Sequence, residues 1–506
     1  MATRAEALSC EGDENIEQRQ AHRGTHAERP TCTIVHLDLG IGGAEHLIVL
    51  AALAMQGRDS KSEGAESRGK HRAEENNLRA EDGYDVEVLT TRHDRSRCFP
   101  PTVDGRLKIS VFGSFLPRSI FGKAVAFCSV LRMLWLVLVI FVTGRWRRNV
   151  IINDQVAAVN PLLSLYCEKL VFYAHFPDLL LVRRNPNSNG FFAALKKLYR
   201  VVMDGIEEAT TAKCDLLLFN SRFTEQTYRR TFPSLNFPPH TVLYPPVDTA
   251  GADAFRRHAS RDACIASLKP LPEFKNFDFS VPFVFSLNRY EKKKDLPLAI
   301  HAVAHARRHD AAGTPLNLVM AGGFCSQLPE NGEVFTDLLR LARRQSGLDV
   351  LWPEAASEQG SSGTSENTNR TQVLFLKNIS EETRQSLMTL ALCLVYTPFE
   401  EHFGMVPLEA NALGCPVVAS NSGGPRESIL HGKTGFLCEH DARSFGDSIL
   451  TLVRMQRDEP QLYTEMRENA SRHVKENFDC SAFGARLRQL VAETQRGGVR
   501  GKTQKI

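Results

Sequence analysis

Glu401 and Glu409 are separated by the seven residues His402-Phe-Gly-Met-Val-Pro-Leu408, and they follow directly on the apolar run Ala391-Leu-Cys-Leu-Val-Tyr396. A carboxylate is a strong acceptor for hydroxyl donors such as those of a sugar. The apolar run reads as a buried parallel strand. Pro407 suits the first position of a helix, which puts Glu409 in the first helical turn and Glu401 in the loop before it. Both would then face the crevice at the carboxyl ends of the strands, where open α/β sheets bind ligands. The plain alternative is a loop glutamate followed by a helix-start glutamate that favours the macrodipole.

Three further groups share this arrangement of strand followed by polar motif. Asn288-Arg289-Tyr-Glu-Lys-Lys-Lys294 follows the apolar stretch Val281 to Leu287 and is expected to open a helix. Arg289 offers a rigid fork of donors and Lys294 a point charge, a pairing that suits a diphosphate. Asn421-Ser422-Gly423-Gly424-Pro425 would let backbone approach closely and aim N–H groups at an anion. Near the start, Thr31 to Leu37 runs into Gly40-Ile-Gly42-Gly43-Ala-Glu45, a glycine loop before a helix whose N-terminus could also hold an anion. Leu47, Leu50, Ala51 and Ala54 form one stripe of that helix. Charge runs are commonly solvated faces and Gly-Gly-Pro a plain turn, so it is their common order that points to one site.

The elements that would carry these groups alternate strand with helix, which predicts parallel sheets with right-handed crossovers. Expected strands are 31–37, 86–90, 150–153, 170–174 and 216–219 in a first half, and 281–287, 316–320, 373–376, 392–396 and 416–419 in a second. The fold class is α/β, with two Rossmann-like domains facing across a cleft. A length of 506 residues with 42% hydrophobic content supports two cores. Net charge of +4 argues against a nucleic-acid binder. Twelve cysteines without metal-ligand spacing read as reduced thiols in a cytosol-facing protein, and no metal site is expected. Residues 1–30 read as a disordered tail, and 57–83 and 352–371 as disordered insertions. Ala124 to Thr143 is apolar but interrupted by Arg132, and Arg145-Trp-Arg-Arg148 follows. Its unbroken part falls short of the roughly 20 residues that span a bilayer. The segment is read as a membrane-associated helix lying at the interface, with Arg132 and Arg145 near the headgroups; the alternative is a core helix.

The second half resembles the nucleotide-binding domain of retaining GT-B glycosyltransferases of family 4, which carry the Glu-x7-Glu pattern. His175-Phe-Pro-Asp178, Asn288 to Lys294, Tyr396-Thr-Pro398, Glu401-His-Phe-Gly404 and Asn421 to Pro425 are similar in particular to α-1,3/1,6-mannosyltransferases of the dolichol-linked oligosaccharide pathway. The resemblance runs from about Thr33 to Val491. It implies GDP-mannose as donor, a mannosyl-chitobiosyl diphosphate on dolichol as acceptor, and no metal or other cofactor. It implies an enzyme on the cytosolic face of the endoplasmic reticulum membrane, with other dolichol-pathway mannosyltransferases as candidate partners. It also implies roles: His175, Arg289, Lys294 and Glu401 in catalysis, and Gly42, Gly43, Ser422, Gly423, Gly424 and Glu409 in donor binding. On that reading residues 31–248 are the acceptor-side domain, 249–280 a linker region, 281–480 the donor-binding domain, and 481–506 a helix returning to the first domain followed by a basic tail. A different family 4 transferase, with another nucleotide sugar, is the alternative.

Overall fold

The computed structural model describes residues 29–57, 83–95, 98–120, 124–145, 148–181, 191–345, 348–351 and 371–497. The expected N-terminal tail, most of both insertions, the flanking Trp146 and Arg147, and the C-terminal basic segment lie outside the described residues.

The first sheet is built from β1 (Thr31–Leu39), β2 (Asp85–His93), β3 (Lys108–Val111), β4 (Arg148–Asp154), β5 (Cys167–Ala174), β6 (Leu216–Phe219) and β7 (His240–Val242). All pairings are parallel, in the order β3-β2-β1-β4-β5-β6-β7. The central strands carry fully buried runs such as Leu216-Leu-Leu-Phe219, as a sheet covered on both faces requires. The two edge strands β3 and β7 were not foreseen, because half-exposed edges lack an apolar run. Helices α1 (Gly43–Met55), α2 (Val125–Val142), α3 (Phe191–Thr211) and α4 (Arg222–Thr231) belong to this half. On α1 the buried face is wider than the expected stripe: Ile48, Val49 and Met55 are buried as well, and Leu50 is only half-buried.

Residues 249–280 are not a linker. They form α5 (Thr249–His258) and α6 (Arg261–Leu268), whose first turns are capped by Asp248 and Ser260. Phe274, Phe277 and Phe279 then pack together, with Phe277 edge-on to Phe274, Phe279 and Phe283 of the next strand, and they join the apolar cluster on one face of the second sheet. That sheet comprises β8 (Phe283–Leu287), β9 (Asn317–Gly322), β10 (Leu348–Leu351), β11 (Thr371–Lys377), β12 (Cys393–Tyr396), β13 (Val417–Ser420) and β14 (Gly435–Cys438). Its order is β10-β11-β9-β8-β12-β13-β14, again all parallel. Helices α7 (Pro297–His309), α8 (Glu381–Leu390) and α9 (Met405–Ala412) follow β8, β11 and β12. The last helix, α10 (Cys480–Gly497), crosses back as expected. Phe483, Leu487, Leu490 and Val491 join the core of the first half, and a β-carbon on Gly484 would come within 2.9 Å of Ala54 on α1.

The apolar helix α2 is docked on the first sheet and does not lie free at an interface. Cys128, Met133, Leu136, Val137, Val139 and Ile140 are buried, most of them against Val35, Leu89, Ile151 and Leu170 of the sheet. Arg132 lies on the same inner side, 2% exposed, and donates to Asp38 and Thr91. Arg145 pairs with buried Glu87. Neither arginine is free to sit among headgroups, because each offsets a carboxylate at the sheet. The helix is long and apolar enough to cross a membrane, but its inner side is protein core. Its outer side (Phe127, Leu131, Leu134, Leu138, Phe141) is apolar and exposed. Beside it α3 exposes Leu198, Val201, Val202 and Ile206, and the Tyr199 hydroxyl ties the two helices by accepting from Phe127 N–H at 3.0 Å.

The two sides of α2 will respond differently to substitution. Leu136→Ala removes a fully buried side chain and should cost about 2–5 kcal/mol, lowering the melting temperature by several degrees, whereas Leu134→Ser on the outer side should leave it nearly unchanged. Equal melting shifts in a thermal scan of the two variants would show that the helix is not docked as described.

Candidate active site

The chain leaves β8 through Asn288 and Arg289, and Tyr290 anchors the turn. The Tyr290 ring is 1% exposed, and its hydroxyl donates to the carbonyl of Leu376 at 2.8 Å. The helix expected immediately after β8 is therefore delayed to Pro297, and Lys292–Lys294 forms a single tight turn. This turn sends Lys294 inward, where its ammonium pairs with Glu401. Thr397, just past β12, donates to the Lys294 carbonyl at 2.6 Å. The next residue, Asp295, adopts a left-handed conformation with φ 42°. Its carboxylate meets Nε2 of His440 at 2.9 Å, and Nδ1 of His440 meets Ser420 Oγ at 2.7 Å. The lysine is thus held from both sides by groups at the carboxyl ends of neighbouring strands. Arg289 sits at the mouth, largely exposed, and pairs with Glu291 at 3.0 Å.

Glu401 lies in the loop before α9. Burial is the largest influence and opposes its ionisation, but the charge and hydrogen bond of Lys294, joined by neighbouring positive groups, together outweigh burial and hold the carboxyl below its ordinary range. The Tyr396 hydroxyl also bonds to Glu401; burial, and then that carboxylate, push the phenol far above its usual value. Of the glycine pair, the Gly424 amide is already engaged within the protein. Gly423 has φ +60°, and a β-carbon there would come within 2.3 Å of the Glu401 carbonyl oxygen. The Gly424 N–H donates to that same carbonyl at 2.8 Å. Ser422 Oγ accepts from Glu400 N–H at 3.0 Å. These three residues seat the Glu401 loop, because the backbones approach too closely for any side chain. Gly42 and Gly43 do stand at the start of α1, with no side-chain cap on its N–H groups. A β-carbon on Gly43 would lie 3.8 Å from Met405 of the other half.

Glu409 is in the second turn of α9, not the first. The left-handed φ of Gly404, 87°, breaks the chain before Met405. The helix therefore starts two residues before Pro407, whose missing N–H falls among first-turn donors that have no partner within the helix. The Glu409 carboxylate pairs with Arg384 of α8, which also binds Glu381. Burial disfavours the Arg384 charge, but Glu409 and then Glu381 more than restore it. His46 of α1 lies within the field of Glu409 and Arg384; burial holds its pKa below the ordinary value.

The first half closes the site from the other side. His175 leaves β5, and its carbonyl accepts from Asn220 and Thr224 at 3.0 and 3.3 Å. Phe176 stacks on His402 with centroids 3.7 Å apart, and Ser221 Oγ donates to the His402 carbonyl at 2.6 Å. Burial pushes His402 down to about 4, so its imidazole is neutral near pH 7. Glu427 caps α4 across the cleft, accepting from Arg222 N–H at 2.9 Å, Phe223 N–H at 2.8 Å and the Tyr244 hydroxyl at 2.9 Å. The structure thus brings Lys294, Glu401, Tyr396 and His402 together, with His175 in the field of His402. Arg384, Tyr396, His402, Glu427 and His440 escaped the sequence reading. Tyr396 and His402 stood inside the motifs Tyr396-Thr-Pro398 and Glu401-His-Phe-Gly404, and Glu427 two residues past Pro425; Arg384 and His440 act through partners distant in sequence and carried no local signal.

The profile described as Glycosyl transferases group 1 matches residues 271–473. The α-1,3/1,6-mannosyltransferase ALG2 of Mus musculus is 35% identical over 471 residues, covering 92% of this chain and 96% of the mouse protein. The Homo sapiens protein of the same name is 33% identical, covering 94% and 99%. Among solved structures, sucrose-phosphate synthase from Thermosynechococcus elongatus superposes with a TM-score of 0.64 at 16% identity, covering 93% of this chain and 100% of that one, which shows a common fold.

The Lys294–Glu401 pair sets a pH-dependent stability. The folded-state value of Glu401 lies below that of the unfolded chain, so the pair contributes fully above the ordinary glutamate range and is lost as pH falls through the folded value. Lys294→Met leaves the carboxylate buried without a cation and should cost about 3 kcal/mol or more at neutral pH. That defect should shrink as the pH is lowered and Glu401 takes up a proton, and Lys294→Met/Glu401→Gln should recover part of it at pH 7. Thermal melts at pH 5 and pH 8 check this; a Lys294→Met defect that grows on acidification contradicts it.

Proposed function

This chain belongs to the α-1,3/1,6-mannosyltransferase family, and from that we propose that it transfers mannose from GDP-mannose to a mannosyl-chitobiosyl diphosphate on dolichol, with retention at the anomeric carbon. The observation that carries the reading is the half-buried Lys294–Glu401 pair at the carboxyl edge of the donor-side sheet, opposite His175. In the proposed step the bond from the anomeric carbon to the diphosphate oxygen breaks. The acceptor oxygen bonds to that carbon on the same face, and its proton passes to the departing diphosphate. Lys294 and Arg289 stabilise the charge growing on the diphosphate, where preorganised donors count most. An ammonium has three donors, so Lys294 can hold Glu401 and a phosphate oxygen together. Glu401 and His175 face the mannose hydroxyls, and Glu409, oriented by Arg384, accepts from the ribose. The uncapped start of α1 at Gly42 and Gly43 approaches the diphosphate from the acceptor side. These fixed cations take the part a divalent metal plays in other transferases, so no metal is required. The alternative, a family 4 transferase using another nucleotide sugar, predicts turnover of UDP-sugars.

The site of action is proposed to be the cytosolic face of the endoplasmic reticulum membrane, close to other mannosyltransferases that build the same lipid-linked glycan. The outer side of α2 and the neighbouring apolar residues of α3 support this, since exposed apolar surface of that extent marks an interaction site. Both helices sit on the acceptor-side half.

Two experiments test these readings. With GDP-mannose, a synthetic lipid-linked trisaccharide and excess EDTA, the wild type should form both linkages, while Arg289→Ala and Lys294→Ala should each lose about 10²-fold or more in kcat. Glu401→Gln should mainly lower kcat and Glu409→Gln mainly raise the donor KM; UDP-sugar turnover, or inactivation by EDTA, counts against the proposal. In vesicle flotation, Leu134→Ser/Leu138→Ser/Phe141→Ser should release protein that melts like the wild type, and unchanged flotation would move the membrane contact elsewhere.

A further inference from the structure

Behind His175 lie two titratable side chains, Asp154 and His36, that the transfer chemistry does not use directly. His36 is in β1, Asp154 ends β4 and His175 follows β5, three adjacent strands of the first sheet. Nδ1 of His36 meets both Asp154 oxygens, at 2.8 and 2.9 Å, and Nε2 of His175 meets Asp154 Oδ2 at 3.2 Å. His36 and Asp154 are 0% exposed, whereas the His175 ring is partly open. The chain turns sharply just after Asp154, with Gln155 at φ 68°, a conformation that costs a non-glycine residue roughly 1–2 kcal/mol. Strain of this kind persists where the surrounding structure overdetermines a position.

Charge decides where the protons sit. Burial is the largest influence and disfavours an ionised Asp154, but the charges and hydrogen bonds of His36 and His175 together outweigh it and hold the carboxyl below its ordinary range. Burial likewise opposes protonation of His36, and Asp154 more than reverses this. An ionised carboxylate has only acceptors, so each imidazole nitrogen facing it carries a hydrogen. On His175 that nitrogen is Nε2.

We propose that Asp154, backed by His36, is a positioning residue that fixes the tautomer of His175, so that Nε2–H points to the sheet and unprotonated Nδ1 serves as an acceptor for a hydroxyl of the transferred sugar. This rests on the reading that His175 touches that sugar. The same logic operates where a buried aspartate orients a catalytic histidine in hydrolases, and there exchange to asparagine costs about 10⁴-fold because the wrong tautomer is favoured.

The test combines kinetics with ¹⁵N spectra of histidine-labelled full-length protein, using His175→Ala to assign the His175 signals. In the wild type the proton should be on Nε2. Asp154→Asn, whose amide can donate to Nε2, should move it to Nδ1 and lower kcat by about 10²-fold or more while the donor KM stays within about threefold. His36→Gln, which retains a neutral donor to Asp154, should lose less than His36→Phe. Wild-type His175 with its proton on Nδ1 overturns the proposal, and that measurement stands even if Asp154→Asn does not fold. So does an Asp154→Asn enzyme with kcat within threefold of wild type while His175→Ala is inactive. Full kcat in His175→Ala would instead overturn the underlying assignment of His175 to the sugar.

Discussion

A lysine and a glutamate, neither well exposed, neutralise each other at the bottom of the cleft, and much of the surrounding structure exists to keep them there. Charges removed from water are costly unless their geometry is good and their remaining hydrogen-bond capacity is met. Here Thr397 and His440 hold the lysine turn, while Tyr396 and the glycine pair hold the glutamate loop. The result is a cation whose position is set by the protein itself; in the proposed transfer it would need no reorganisation at the moment of reaction. Breaking one support would loosen the turn without removing a charged group.

Parallel sheets make this arrangement available twice. Each strand delivers its following loop to the same edge, so a sheet concentrates loop side chains along one line. The first sheet brings His36, Asp154 and His175 there, and the second brings Lys294, Glu401 and His440. The two edges face each other because α10 crosses back onto α1, and because Glu427, His402 and Ser221 bridge the cleft directly. These contacts tie the relative placement of the halves to the Glu401 loop: whatever shifts α4 also pulls on the loop that carries Glu401.

Helix α2 shows how one segment serves two solvents. Its inner side completes a core and buries Arg132 against Asp38, while its outer side stays apolar. Hydropathy sums both sides and so reads as a membrane element. Only the packing separates the face that stabilises the fold from the face left exposed.

The sequence by itself determined the α/β class and the positions of the central strands, and it singled out Glu401, Lys294, Arg289 and His175 as candidates, because apolar runs and the polar motifs after them are local patterns. The returning helix was implied only by the family resemblance; its seat against the core of the first half is a matter of tertiary structure. The tertiary structure alone decided what those residues touch. The 249–280 segment read as a linker because its phenylalanines follow no helical or strand period, yet they close over a sheet face built from later strands. Gly424 read as an anion site because its sequence permits that geometry; only the fold shows its amide already bonded to Glu401. Arg384 with Glu409, His440 with Asp295, and Asp154 between two histidines are pairings across 25, 145 and 118 residues or fewer. No local pattern can encode them, since each depends on which strands lie side by side.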